Sequence, residues 1–206
     1  MGQCFRQVMG VGMSDRREQI LEAALQLANE SGPGALSVRA VAERAGIGAS
    51  TLRYYFPAQS DLAFAVSERM MLRTVPDLNI EDSSLPPRQR LVECAMQFLP
   101  PSADEAPYLV SVWAEQIGQG FGLKAGETSR RLLERLYRLG IGRFEAWLGV
   151  LASEGHLDEG EVAEAASILS AACDGFMLQL AAGEVDLEQV RERLETLCAL
   201  IVHGEH

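Results

Sequence analysis

The stretch SVRAVAERAGIGASTLRYYF, residues 37–56, decides the fold. Ser37 is a helix N-cap residue, and Val38, Val41, Ala42 and Ala45 after it fall on one face of a short helix. Gly46 closes that helix, Ile47-Gly48-Ala49 makes a turn, and a second short helix runs from about Ser50 to Tyr55 before Pro57 stops it. Two short helices joined by a glycine turn form a helix-turn-helix, the unit that places its second helix in the major groove of DNA. Val38, Val41, Ala42, Ala45, Ile47 and Leu52 supply the small core that locks the pair. Ala49, Ser50, Thr51, Arg53, Tyr54 and Tyr55 are left to project outward. The small residues at 48–50 let the helix start approach phosphate. Ser37, Thr51 and the tyrosine hydroxyls are phosphate donors, and Arg53 is able to fork onto guanine or phosphate. Taken alone, such a hairpin is equally at home inside a larger bundle.

Working outward, helix signals continue on both sides. Asp15-x-x-Glu18 is a capping-box pattern ahead of Ile20, Ala23, Ala24 and Leu27, and the Ser31-Gly32-Pro33-Gly34 cluster ends this first helix. A fourth helix runs from about Ser60 toward Thr74. Residues 76–87 turn to Asp, Asn, Ser and Pro and read as a connection. Helices follow near 88–99, 105–121 and 128–154. Two more are opened by Asp158-x-x-Glu161 and Asp186-x-x-Gln189 and interrupted by Gly183. No segment keeps a two-residue alternation for long, so the predicted fold is all-α. It comprises a three-helix helix-turn-helix DNA-binding domain at 14–60, after a disordered leader at 1–13, and a helical ligand-binding and dimerisation domain at 61–206.

The net charge of −11 is unevenly distributed. Residues 1–75 carry eight Arg and seven Asp or Glu, and the remainder carries ten Lys or Arg and 22 Asp or Glu, so the acidity belongs to the C-terminal part. The near-neutral head, with Arg16, Arg17, Arg39, Arg44 and Arg53, is compatible with nucleic acid. Cys4, Cys94, Cys173 and Cys198 lack any CxxC spacing, and the last three fall on apolar helix faces, which fits small buried hydrophobes rather than a disulfide or metal framework. His156 in a glycine-flanked turn and His203 and His206 at the chain end do not form a metal site. No phosphate-binding loop follows a strand. The expectation is therefore no enzyme and no cofactor. No apolar run reaches the ~18 residues of a membrane span and the start does not resemble a signal peptide, so a cytoplasmic protein is expected.

The first 70 or so residues resemble the DNA-binding domain of TetR-type repressors in three stretches: ILEAALQLANESG, LSVRAVAERAGI and STLRYYFPAQSDL. The resemblance implies Gly46 and Ile47 as turn, Thr51 as a phosphate contact, Leu52 as core anchor, Phe56 as core, and a dimer whose two second helices reach successive major grooves. Two positions depart from the family pattern, with Arg53 where a Tyr is common and Gln59 where a phosphate-binding Lys is common. An unusual operator is expected to follow. The DNA-contacting set is then Ser37, Arg39, Ala49, Ser50, Thr51, Arg53, Tyr54, Tyr55 and Gln59. The function implied is a repressor released from its operator by a small-molecule inducer. A ligand-responsive activator of the same fold, or a helical enzyme or scaffold without DNA binding, are the alternatives.

The C-terminal part carries no sharp motif. Its aromatics concentrate at 96–121 and 128–154, with polar groups among them. Phe98, Tyr108, Trp113, Glu115, Gln116, Phe144 and Trp147 are the candidate lining of a small-molecule pocket, although such a stripe more often serves as core. A Glu beside Trp and Tyr suits a cationic or aromatic inducer, and Trp113-Ala114-Glu115 faintly resembles choline-sensing repressors. The last two helices carry full apolar stripes, and Phe176, Met177, Leu180, Leu194, Leu197 and Ile201 are the candidate homodimer contacts. The fourth helix joins the two halves and is the expected lever between ligand and DNA.

Overall fold

The computed structural model describes residues 2–31, 35–123 and 125–203, with side chains from Asp15 onward. The described residues form nine α-helices and no strand: α1 (Gly2–Ser31), α2 (Val38–Arg44), α3 (Ala49–Tyr55), α4 (Gln59–Thr74), α5 (Pro87–Met96), α6 (Ala106–Phe121), α7 (Glu127–Ser153), α8 (Val162–Ala182) and α9 (Leu187–Ile201). The all-α expectation is met. α1 begins at Gly2 rather than at the expected Asp15 cap, so the backbone assigned to a leader is helical from Gly2 on. Cys4 and His206 lie outside the residues whose side chains are described. The chain divides into two compact units, Met1–Met70 and Met71–His206, so the boundary falls inside α4, ten residues later than expected.

The first unit is built on a single apolar cluster. Ile20, Leu21, Ala24, Leu25 and Ala28 of α1 recur at helical spacing and meet Leu36, Val41, Ala42, Leu52, Phe56, Leu62, Ala65 and Val66. Leu52 is fully buried, so the outer face of α3 is fixed by its inner one. The α2 terminus is a Schellman motif: Gly46 N–H donates to Glu43 O at 3.2 Å and Ile47 N–H to Ala42 O at 3.0 Å. This geometry needs the positive φ of +65° that Gly46 adopts.

In the second unit α7 and α8 pair, α6 packs on both, and α5 packs on α7 and α9. The Asp186–Gln189 capping box forms as expected, with Gln189 N–H donating to Asp186 Oδ1 at 2.8 Å. At Asp158 the carboxylate instead accepts from Gly160 N–H at 2.8 Å, and a 3-10 turn over Glu159–Glu161 precedes α8. Phe144, Trp147, Leu148 and Leu151 of α7 are completely buried, with Leu169 and Ala166 of α8 and Leu194 and Val190 of α9 in the same cluster. Two arginines fasten the connection after α4. Arg143 of α7 donates to Val75 O at 2.9 Å and to Asp77 Oδ1 at 2.7 Å, and Trp147 Nε1 donates to the same oxygen at 2.8 Å. Arg90 of α5 is 1% exposed and donates to Ile80 O and to both Glu154 oxygens.

Candidate nucleic-acid interface and ligand half

α2 and α3 present the expected outward residues. Arg39, Ala49, Ser50, Thr51, Arg53 and Tyr54 are exposed, and Tyr55 is half-buried against the core. Tyr54 is 68% exposed and its ring meets Tyr55 edge-on at 5.1 Å between centroids. Ser37 caps α2, its Oγ accepting from Ala40 N–H at 3.2 Å, which leaves the hydroxyl proton to donate elsewhere.

The arginines of the head divide by what they touch. Arg44 makes a two-pronged pair with Glu30 at 2.9 and 2.6 Å, tying α2 to α1. That contact holds the Glu30 carboxyl below the usual range. Arg17 lies 5.0 Å from the Phe56 ring centroid, and Arg16 donates to Gln19 at 3.0 Å. Arg39 and Arg53 have no side-chain partner among the described residues. Gln59 departs from its expected role: its Nε2 donates to Leu36 O at 2.8 Å, so the amide braces the start of α4 against the chain ahead of α2. Sequence pattern gave no sign of this, because the acceptor is a backbone carbonyl 23 positions away.

The seven residues expected to line a pocket do not form one group. Phe144 and Trp147 are fully buried and Phe98 half-buried. Phe98 stacks on Phe144 at 4.6 Å, and Trp147 meets Phe144 edge-on at 5.5 Å, so the three rings pack as core. Tyr108 is 70% exposed, Trp113 is half-buried, and Glu115 and Gln116 are exposed. Glu115 accepts from Gln119 one turn on at 3.3 Å. Two clefts of this unit lie instead along α5 and α9. One of about 790 Å³ is walled by residues 83–90, Val92, Glu93, His156, Arg191 and Glu195. The other, of about 660 Å³, is walled by Thr74, Glu93, Met96, Gln97, Leu99, Pro100, Pro101, Leu187, Glu188 and Arg191.

Of the expected dimer contacts, Leu180 and Leu194 are buried inside their own chain and serve its core. Phe176, Met177, Leu197 and Ile201 are half-buried against the same core. The large apolar residues that α8 and α9 do expose are Ile168 (46%), Leu178 (48%) and Leu200 (75%). Sequence periodicity selects a stripe but cannot say which of two apolar faces turns inward. The stretch Glu159–Ala182 is long and apolar enough by composition to cross a membrane, yet Asp174 lies within it, half-buried and bonded by the Tyr137 hydroxyl. Burial raises the Asp174 carboxyl, and the bond to Asp174 pushes the Tyr137 hydroxyl up to about 12. Cys94, Cys173 and Cys198 are buried as expected, and burial pushes each thiol up to about 12. His156 is not free in its turn: its Nδ1 lies 3.1 Å from His203 O. No group of three potential metal ligands occurs among the described residues.

Residues 20–66 match the family described as bacterial regulatory proteins, tetR family. The HTH-type transcriptional repressor KstR of Rhodococcus jostii (strain RHA1) is 44% identical over 55 residues, which are 27% of this chain and 26% of that protein. The chain thus matches about a quarter of the length of this curated relative. Two solved structures share the fold over most of both chains. One, a Rhodococcus sp. protein assigned to the TetR family of transcriptional regulators, is 20% identical with a TM-score of 0.59 over 92% of this chain and 100% of that one. The other, a TetR transcription regulator from Haloarcula marismortui ATCC 43049, is 19% identical with a TM-score of 0.54 over 92% and 100%.

Proposed function

We propose that this chain, which belongs to the tetR family of bacterial regulatory proteins, is a DNA-binding transcriptional repressor that leaves its operator when a small molecule binds the second unit. One observation carries the reading. Within the family-matched segment, buried Leu52 locks a helix whose outer face offers Ser50, Thr51, Arg53 and Tyr54 to solvent. The repressor name of the relative that matches this segment supports repression over activation. Arg53 and Arg39 supply the charge, Ser37, Thr51 and Tyr54 the hydroxyl donors, and Gln59 acts by bracing α4. The protein works as a homodimer in the cytoplasm, where an operator is found, with one α3 from each protomer entering successive major grooves. The exposed apolar residues of α8 and α9 are its contact face. Release requires a ligand that binds the operator-competent and incompetent conformations with different affinity. Nothing in this scheme calls for a catalytic step.

Selection from a random duplex pool, followed by titration of the selected sequence, tests the reading. Retention should fall steeply with salt. Arg53→Ala and Tyr54→Ala should each weaken operator binding roughly 5- to 100-fold, the range for a lost specific contact, while the dimer stays intact. Unchanged affinity in both variants refutes the interface.

A further inference from the structure

The cleft between the C-terminal end of α5 and the N-terminal end of α9 combines an apolar wall with an excess of acid. Met96, Leu99, Pro100, Pro101 and Leu187 form the apolar side, with Leu99 and Pro100 buried in the fold and therefore fixed in place. Glu93 on α5 and Glu188 on α9 contribute two carboxylates against the single guanidinium of Arg191. The surroundings reinforce that sign. Residues 71–206 carry 11 Lys or Arg and 22 Asp or Glu, so the unit has a net charge of −11 and draws cations to its surface. The carbonyl end of α5 at Met96 and Gln97 adds a partial negative charge, which the amide end of α9 at Leu187 and Glu188 offsets, so the acidic excess rests on the carboxylates. The adjoining cleft shares Glu93 and Arg191 and sets Arg88, His156 and the paired Arg90 beside Glu195, so its walls lack the acidic excess. Thr74, the last residue of α4, lines the acidic cleft, so an occupant would touch the end of the helix that contains the boundary between the two units.

We propose that this cleft binds a lipophilic organic monocation, such as a substituted ammonium, with its apolar body along Met96, Leu99, Pro101 and Leu187 and its charge between Glu93 and Glu188. The inference rests on the reading of the second unit as the ligand-binding half, and it moves the cation site from Trp113 and Glu115 to the α5–α9 cleft. Arg191 opposes the ligand, and this gives the test two signs. Calorimetric titration of the full chain should show binding of hexyltrimethylammonium and weaker or no binding of hexanesulfonate, which has the same tail and the opposite charge. Glu93→Gln and Glu188→Gln should each weaken the cation roughly threefold to tenfold, and Arg191→Gln should strengthen it by a similar factor, as expected for single charges at a partly exposed site. All three side chains are at least partly exposed, and unchanged thermal unfolding of the variants verifies the fold. Preference for the sulfonate, absence of cation binding, or binding indifferent to the three substitutions overturns the proposal. Failure of the repressor reading has a separate signature: the ligand-free wild type selects no duplex, whatever the calorimetry gives.

Discussion

Arg90 and Glu154 are unequal halves of one ion pair. The guanidinium is 1% exposed, whereas the Glu154 side chain is 23% exposed. Glu154→Ala therefore strands a buried charge whose Nε already lacks a partner, and it should cost about 3–5 kcal/mol. Arg90→Met removes the buried charge and leaves a carboxylate that water reaches, so it should cost clearly less; urea unfolding of both variants measures the order, and equal losses would contradict it. The pair also sets an acid limit. The Arg90 contact holds the Glu154 carboxyl below its ordinary value, so its contribution is complete above the unfolded value of about 4.3 and disappears as pH falls through the lower folded value. The wild type should lose this increment of stability in acid, and Glu154→Gln should show a flatter profile there. None of this was legible in the sequence, because Arg90 and Glu154 lie 64 positions apart and neither belongs to a motif. The outward position of Arg53 and Tyr54 was legible, because a short helix held by one buried leucine leaves few choices for its outer face.

Helix termini determine where elements stop, and here two of them make opposite demands. Gly46 holds φ at +65° in the α2 terminus with no atom within 4 Å of an added Cβ, so Gly46→Ala is penalised by backbone conformation alone, about 1–2 kcal/mol. Leu78 is the one non-glycine residue with positive φ among the described residues, at +46° in the turn after α4, and its side chain is half exposed. Leu78→Asn should relieve that strain and stabilise the second unit by up to about 1 kcal/mol, since Asn tolerates the left-handed region. Thermal unfolding measures both, and a destabilised Leu78→Asn would show that the leucine side chain contributes more than its backbone costs. Glycine stops and the Asp186 box could be read in advance because they are local chemistry. The Asp158 pattern looks the same in sequence but caps a 3-10 turn, since Glu161 N–H bonds to Asp158 O at 3.0 Å. The start of α1 was missed for a related reason: the Asp15 pattern that signals a helix N-terminus lies inside a longer helix.

At the scale of the molecule, a net charge of −11 on residues 71–206 works against association with DNA, so the proposed repressor needs local placement of its cationic groups and two grips at once to hold an operator. The face proposed above as the dimer contact is apolar in an otherwise acidic unit. Ile168 and Leu178 lie ten residues apart on α8, about 80° apart around the helix axis, and Leu200 on α9 is exposed as well. A second copy of the same face covers such residues symmetrically. Leu178→Glu combined with Leu200→Glu should give a monomer in sedimentation equilibrium at micromolar concentration, with helical content unchanged because neither side chain belongs to the buried core. The same double variant should lose operator affinity by a hundredfold or more, in the range that linking two binding modules contributes, although its α3 is untouched. A wild type that is monomeric at that concentration would refute the dimer, and a double variant that remains dimeric would place the dimer contact elsewhere on the chain.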